Sequence, residues 1–381
     1  FGTVFLAREL SLDRLVALKV SRTKGNEART LARLEHSHIV QVFGERLCGE
    51  QRLLWMQYVP GTTLEHVIRG LSQRPVETWS GATLLEVIAA LNTEPLIFDA
   101  SALRSRQLLQ HSDHVEAVCW LGARLAEALA YAHRQGVLHR DIKPANILIN
   151  GYGRPLLADF NLASADQDTR EDTFGGTLAY MAPEHLDAFN PEDETPRDAV
   201  DQRSDLYSLG VVLFELLTSK RPFGSPTGHL GSALLRELAD ARRAAVPDLA
   251  STMPIVPVAV RQVLRRCLEP DPAKRFQSAN ELAEALDGCL ELSQVEKGMP
   301  VAGPLTRAFQ RYPMTMGFVL ASIPHTIGSL MSIGYNVVRI GGNLPEPSQQ
   351  SLVLSLTSAY TGVVFAVALS LAYWVVGLMG R

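Results

Sequence analysis

His139-Arg140-Asp141-Ile142-Lys143-Pro144-Ala145-Asn146 sets a carboxylate, an ammonium group and a carboxamide at fixed offsets in one short stretch. Asp141 can accept or orient a hydroxyl proton, Lys143 can neutralise a phosphoryl group in motion, and Asn146 can offer an oxygen to Mg²⁺. Together they are the equipment that phosphoryl transfer from ATP requires. A lone His-Arg-Asp arises easily by chance; eight positions matching in order do not.

The rest of the chain bounds the reading. Its 381 residues allow two or three domains with a substantial core. A net charge of −4 gives no electrostatic case for nucleic-acid binding. Cys48, Cys119, Cys267 and Cys289 are far apart and lack metal-ligand or Cys-x-x-Cys spacing, which points to reduced, mostly buried thiols in a cytosolic compartment. The chain opens at Phe1 without a Met or a signal peptide, as a fragment would.

Residues 1–60 read as short strands around one helix. Val4-Phe5-Leu6, Leu15 to Val20 and Leu53 to Tyr58 are β-prone, and Glu27 to Leu34 is a helical stretch. From about residue 115 the pattern turns helical. Val115, Val118, Leu121, Leu125, Leu129 and Ala132 lie on one face of a helix, and Leu206 to Thr218 is apolar almost all round, as a buried central helix is.

The opening stretch resembles the catalytic loop of protein kinases, and further motifs follow in that family's order. Phe1-Gly2-Thr3-Val4-Phe5 is similar to the end of a glycine-rich phosphate loop, and Val16-Ala17-Leu18-Lys19 to the strand whose Lys grips the α- and β-phosphates. Glu27 matches the carboxylate that holds that Lys, although the connection to it is shorter than usual. Met56 would stand behind the adenine, and Gln57 and Val59 would offer backbone groups to its edge. Val4 and Ala17 above and Leu148 below would enclose the ring. Asp159-Phe160-Asn161 stands where kinases have Asp-Phe-Gly; Asp159 is the second metal ligand beside Asn146, and Asn161 is a departure that removes no group needed for transfer. Thr177 would bond near Asp141 and Lys143, Glu184 would pair with Arg275, and Asp205 would accept bonds from the catalytic-loop backbone.

The resemblance therefore implies an α+β, two-lobed protein-kinase fold. Its small lobe would span 1–60 and its large lobe 61–290, with ATP and Mg²⁺ as cofactors and Ser/Thr hydroxyls of proteins as acceptors. Lys143, two residues after Asp141, is the serine/threonine pattern. Arg140 implies ordering by a phosphorylated loop, with Thr169 and Thr173 as the autophosphorylation candidates. Residues 71–113 match no kinase motif and are expected to form a surface insert without catalytic role, helical over Thr83 to Leu91.

The tail rests on hydropathy alone. After a juxtamembrane linker at 291–311, no Asp, Glu, Lys or Arg lies between Arg311 and Arg339, nor between Glu346 and Arg381. Segments 312–338 and 352–379 are thus expected to be transmembrane helices; Pro324, His325 and Asn336 interrupt the first, for which an interfacial or re-entrant segment is the alternative. The implied protein is a bacterial-type transmembrane serine/threonine kinase, its kinase domain on the cytoplasmic face of what would be the bacterial inner membrane. The alternatives are a membrane-tethered pseudokinase scaffold and a soluble kinase with a hydrophobic partner-binding tail.

Overall fold

The computed structural model describes residues 2–21, 31–92, 100–160, 177–224, 231–244, 251, 256–298, 303–340 and 343–379. The β-prone runs near the N-terminus form strands β1 (Thr3–Glu9), β2 (Arg14–Ser21), β3 (Val42–Cys48) and β4 (Gln51–Gln57). They make one antiparallel sheet in the order β1-β2-β4-β3. Register pairs Val4 with Lys19, Lys19 with Leu54 and Ala17 with Met56. Directly opposed residues share a face of a pleated sheet, so these five side chains stand on the same side. Residues 22–30 lie outside the described residues, and with them Glu27 and most of the expected helix.

A second antiparallel sheet joins β5 (Gly61–Thr63), β6 (Ile147–Asn150) and β7 (Pro155–Leu157) in that order. Around it stand helices α1 (Leu64–Ser72), α2 (Gly81–Leu91), α3 (Ala100–His111), α4 (His114–Arg134), α5 (Pro183–Phe189), α6 (Gln202–Thr218), α7 (Ser232–Ala244), α8 (Val258–Cys267) and α9 (Ala279–Gly298). Helix α4 begins with a reciprocal cap: Asp113 accepts from the Glu116 N–H, and Glu116 accepts from the Asp113 N–H. Helix α6 has the all-round burial that its apolar sequence requires, from Leu206 through Leu217.

The segment 71–113 is not a surface appendage. Leu84, Leu85 and Ile88 of α2, with Trp79 and Leu109, are buried in the same core cluster as α4 and α6. Helix α2 carries apolar residues on almost every side, and such a helix is stable only when covered. The approach of α3 to it is close: a Cβ on Gly81 would stand 2.0 Å from the Leu109 carbonyl oxygen, so only glycine fits. Arg106 also donates to the Gly151 carbonyl at 3.2 Å, tying α3 to the turn between β6 and β7.

The large lobe is locked by the expected pair of Glu184 and Arg275. Arg275 Nη1 and Nη2 reach the Glu184 carboxylate at 2.7 and 2.8 Å, and the guanidinium also donates to the Glu269, Pro270 and Arg203 carbonyls. Burial acts to raise the Glu184 pKa, but the Arg275 hydrogen bonds and charge, with the Ser204 hydroxyl, hold it below its ordinary 4.5.

Residues 1–296 and 297–381 form two separate compact units. The second contains α10 (Pro304–Arg311), α11 (Pro313–Tyr335), a π-helical turn over Asn336–Ile340, and α12 (Pro347–Met379). Helix α11 runs through Pro324 without breaking, and α12 starts five residues before the expected 352. Thr315–Tyr335 and Pro347–Val367, 21 residues each, both contain an 18-residue window with a mean hydropathy of 1.4. At ~1.5 Å per residue, 21 residues reach about 31 Å, the thickness of a bilayer's hydrocarbon core. Leu330 and Met331 are 64% and 71% exposed, an apolar surface that water does not favour.

Removing Arg275 strands a buried carboxylate. Arg275→Ala should cost about 3–5 kcal/mol in urea unfolding of the kinase unit. Glu184's depressed pKa makes its contribution fully present above 4.5 and lost as the pH falls through the lower folded value. The stability gap between the wild type and Glu184→Gln should therefore narrow on acidification below that point; a gap independent of pH would refute the pairing.

Candidate active site

The catalytic-loop stretch hangs from one buried carboxylate. Asp205, in the first turn of α6, accepts from the backbone N–H of His139 at 2.9 Å and of Arg140 at 2.8 Å. His133, at the end of α4, donates to it through Nε2 at 2.8 Å. Burial on its own would raise the Asp205 pKa, but the His133 hydrogen bond and charge, with the His139 N–H, keep it below the usual carboxylate range. These bonds hold Arg140 at φ 61°, a left-handed conformation that a non-glycine residue adopts only when its surroundings dictate it.

His139 is fully buried, and burial pushes its pKa down. The neutral ring donates from Nε2 to the Ala158 carbonyl at 3.1 Å and accepts from the Asp141 N–H at Nδ1, which defines its tautomer. Its ring packs 4.4 Å from that of Phe160.

Around Asp141 the three predicted groups converge. Lys143 Nζ donates to Asp141 Oδ2 at 2.9 Å and to the Thr177 hydroxyl at 2.7 Å. Asn146 Nδ2 donates to Asp141 Oδ2 and to the Asp141 carbonyl, both at 2.8 Å. Oδ2 is thus held twice. Oδ1 is buried and has no hydrogen-bond partner among the described residues.

The β6–β7 hairpin places the remaining acidic group. Asn146 immediately precedes β6 and Asp159 lies two residues beyond the end of β7, and the Ala158 N–H donates to the Asn146 carbonyl at 2.9 Å. Asp159 takes φ 56° and meets Lys19 Nζ at 2.7 Å across the lobes. That ion pair was not anticipated, because the residues lie 140 positions apart. The expected partner, Glu27, lies outside the described residues, as do Asn161, Thr169 and Thr173.

The apolar candidates line the same cleft. Ala17, Val59 and Leu148 pack against a cluster of Val40, Val42, Met56 and Leu156 that joins the two lobes. Val4 shares the Lys19 face of the sheet, and a Cβ on Gly2 would stand 2.6 Å from the Val20 carbonyl oxygen. The Gln57 N–H already donates to Gln41, whereas Val59 keeps both backbone groups unpaired among the described residues. Within the expected hinge pair, Val59 therefore retains a free N–H for a planar ligand's edge.

A two-lobed fold with this loop, this hairpin and this cross-lobe lysine is matched by known families. The protein kinase domain model matches residues 101–286, and that of the phosphotransferase enzyme family matches residues 13–167. Serine/threonine-protein kinase PknJ of Mycobacterium tuberculosis is 34% identical over 308 residues, covering 76% of this chain and 43% of that protein. The chain contains a protein kinase domain. Serine/threonine-protein kinase PrkC of Bacillus subtilis is 27% identical, covering 74% of this chain and 37% of that protein. The crystal structure of the M. tuberculosis PknI kinase domain is similar at 26% identity and a TM-score of 0.47, covering 75% of this chain and 90% of that domain. The chain spans less than half the length of PknJ and of PrkC.

Sequence reasoning missed His133 as a support of Asp205. Its only signal was a histidine in the last turn of a helix otherwise rich in Ala and Leu. Asp205→Ala would orphan two backbone donors and His133, at about 1–3 kcal/mol for each buried group. Amide exchange at His139 and Arg140 should accelerate in that variant more than at Leu129 in mid-α4; uniform acceleration would mean that Asp205 serves general stability alone.

Proposed function

We propose that the chain is a membrane-anchored serine/threonine protein kinase that transfers the γ-phosphoryl group of ATP to Ser and Thr hydroxyls of proteins. The observation that carries this reading is the state of Asp141. Lys143 and Asn146 hold one carboxylate oxygen, and the other is a buried acceptor without a donor among the described residues. A buried, unpaired carboxylate oxygen is costly and suits an incoming hydroxyl.

In the reaction, the acceptor Ser or Thr oxygen attacks the γ-phosphorus in line, its proton passes toward Asp141 Oδ1, and ADP leaves. Lys143, steadied by Thr177, neutralises charge on the group in transit. Val4 and Ala17 from one lobe and Leu148 from the other enclose the adenine, with Met56 behind it and Val59 and Gln57 at its edge. Gly2 brings the backbone near the phosphates. Lys19 grips the α- and β-phosphates, with Glu27 as its second carboxylate partner.

Asp159 and Asn146 fit a divalent metal. One carboxylate and one carboxamide oxygen are hard donors, and Mg²⁺ commonly takes one or two such groups while keeping water and phosphate oxygens. Bound there, Mg²⁺ would neutralise phosphate charge. The pseudokinase alternative loses ground because every charged group that the chemistry needs among the described residues is present and in contact.

The relatives named serine/threonine-protein kinases support the acceptor class. Helices α11 and α12 support a membrane anchor, and the need for ATP supports a cytoplasmic side for the kinase unit. Arg307 and Arg311, just before α11, agree with that side.

Asp141→Asn should lower phosphoryl transfer by about 10²–10⁴-fold while leaving ATP binding measurable; undiminished turnover would refute the assignment. Fractionation checks the anchor: detergent should release the chain from membranes, and release by high salt alone would contradict spanning helices.

A further inference from the structure

Arg242 on α7 is a cation in the wrong company. It is 1% exposed, and no carboxylate pairs with it among the described residues. The residues that α7 brings together around it form a small apolar cluster that includes Leu178, Met181, Leu186 and Leu238. Its guanidinium lies 5.5 Å from the centre of the Phe223 ring and interacts with the Tyr207 hydroxyl of α6, a neutral group, while its Nε has no partner among the described residues. Burying an ion without a counter-charge is expensive, and a methionine would fill similar space at less cost. Packing alone does not account for an arginine here.

The guanidinium's two terminal nitrogens have specific targets. Nη1 donates to the Leu238 carbonyl on its own helix at 2.9 Å, and Nη2 donates to the Leu178 carbonyl at 2.6 Å. Leu178 directly follows Thr177, whose hydroxyl holds Lys143, which in turn holds Asp141. One peptide unit thus separates the buried charge from the Lys143–Asp141 pair. Leu178 also opens the single 3₁₀ turn Leu178–Tyr180, which has no side-chain cap of its own.

We propose that Arg242 is a positioning residue: it clamps the Leu178 carbonyl, fixes the turn over 177–181, and so keeps Thr177 against Lys143 where the acceptor hydroxyl must be seated. The role rests on the reading of this site as a Ser/Thr phosphotransferase. It acts on the acceptor side of the reaction, since none of its contacts among the described residues reaches the Lys19–Asp159 side.

The test compares Arg242→Met and Arg242→Lys with the wild type in the full chain, using ATP and a serine-containing peptide. Arg242→Met should reduce kcat/KM for the peptide by about 10–100-fold, with the KM for ATP and the thermal midpoint little changed, because a small misplacement of a reacting group costs this much. Arg242→Lys, which keeps one donor, should recover part of the loss. Parallel losses for ATP and peptide, or losses that track a fallen midpoint, would overturn the proposal, as would unchanged peptide kinetics. If Arg242→Met does not fold, Arg242→Lys is read by the same split. Amide exchange at Tyr180 and Met181 needs no activity. Should the wild type transfer no phosphate, the functional reading falls, while faster exchange at those two amides in the variants would still establish the clamp and unchanged exchange would remove it.

Discussion

The carboxylate of Asp205 accepts hydrogen bonds from two consecutive backbone N–H groups and one histidine, and the rest of the site is arranged around that constraint. It holds Arg140 in a left-handed conformation, which turns the chain so that His139 points into the core while Asp141 faces the cleft. A carboxylate can do this from inside the protein only because three donors compensate its lost hydration. Helix α6, which carries it, is buried along nearly its whole length, so the anchor does not drift.

From that anchor the site extends through two tethers. The β6–β7 hairpin presents Asn146 and Asp159 from adjacent ends, and Asp159 reaches across to Lys19 on β2. The turn at Leu178–Tyr180 presents Thr177 to Lys143 from the other side. Each tether is braced from behind by groups with no part in the chemistry. The helices of the 71–113 segment stand against the hairpin's turn, and Glu184 with Arg275 locks the segment that follows Thr177. The segment that fits no kinase motif is therefore part of the same core as the catalytic scaffold.

The C-terminal unit follows a different pattern of burial. Its helices keep leucines, valines and methionines outward, which is stable in lipid and unfavourable in water. Hydroxyls along them return to carbonyls one turn earlier, as Ser322 does to Phe318 and Thr326 to Ser322, so these polar groups remain satisfied without water. Helix α11 accommodates Pro324 inside a continuous run, and sequence patterning alone had marked that residue as an interruption.

The catalytic trio was legible because Asp141, Lys143 and Asn146 lie within six residues, and the spacing of a short loop nearly dictates which groups can meet. The amphipathic face of α4 was legible because one-sided burial imprints a local period, and α6 and the tail helices because long runs almost free of charge stand out in composition. The surface placement assigned to 71–113 failed because only the presence of α4 and the hairpin decides whether an apolar helix has something to cover it. The Lys19–Asp159 pair, the His133 support of Asp205 and the Arg242 clamp on Leu178 join residues 64 to 140 positions apart. By itself, then, the sequence determined the chemical groups and the local elements that carry them, since both follow from short-range composition and period. Which lysine meets which carboxylate, and which buried cation holds which carbonyl, was decided only by the tertiary structure, because distance and desolvation are properties of the packed chain.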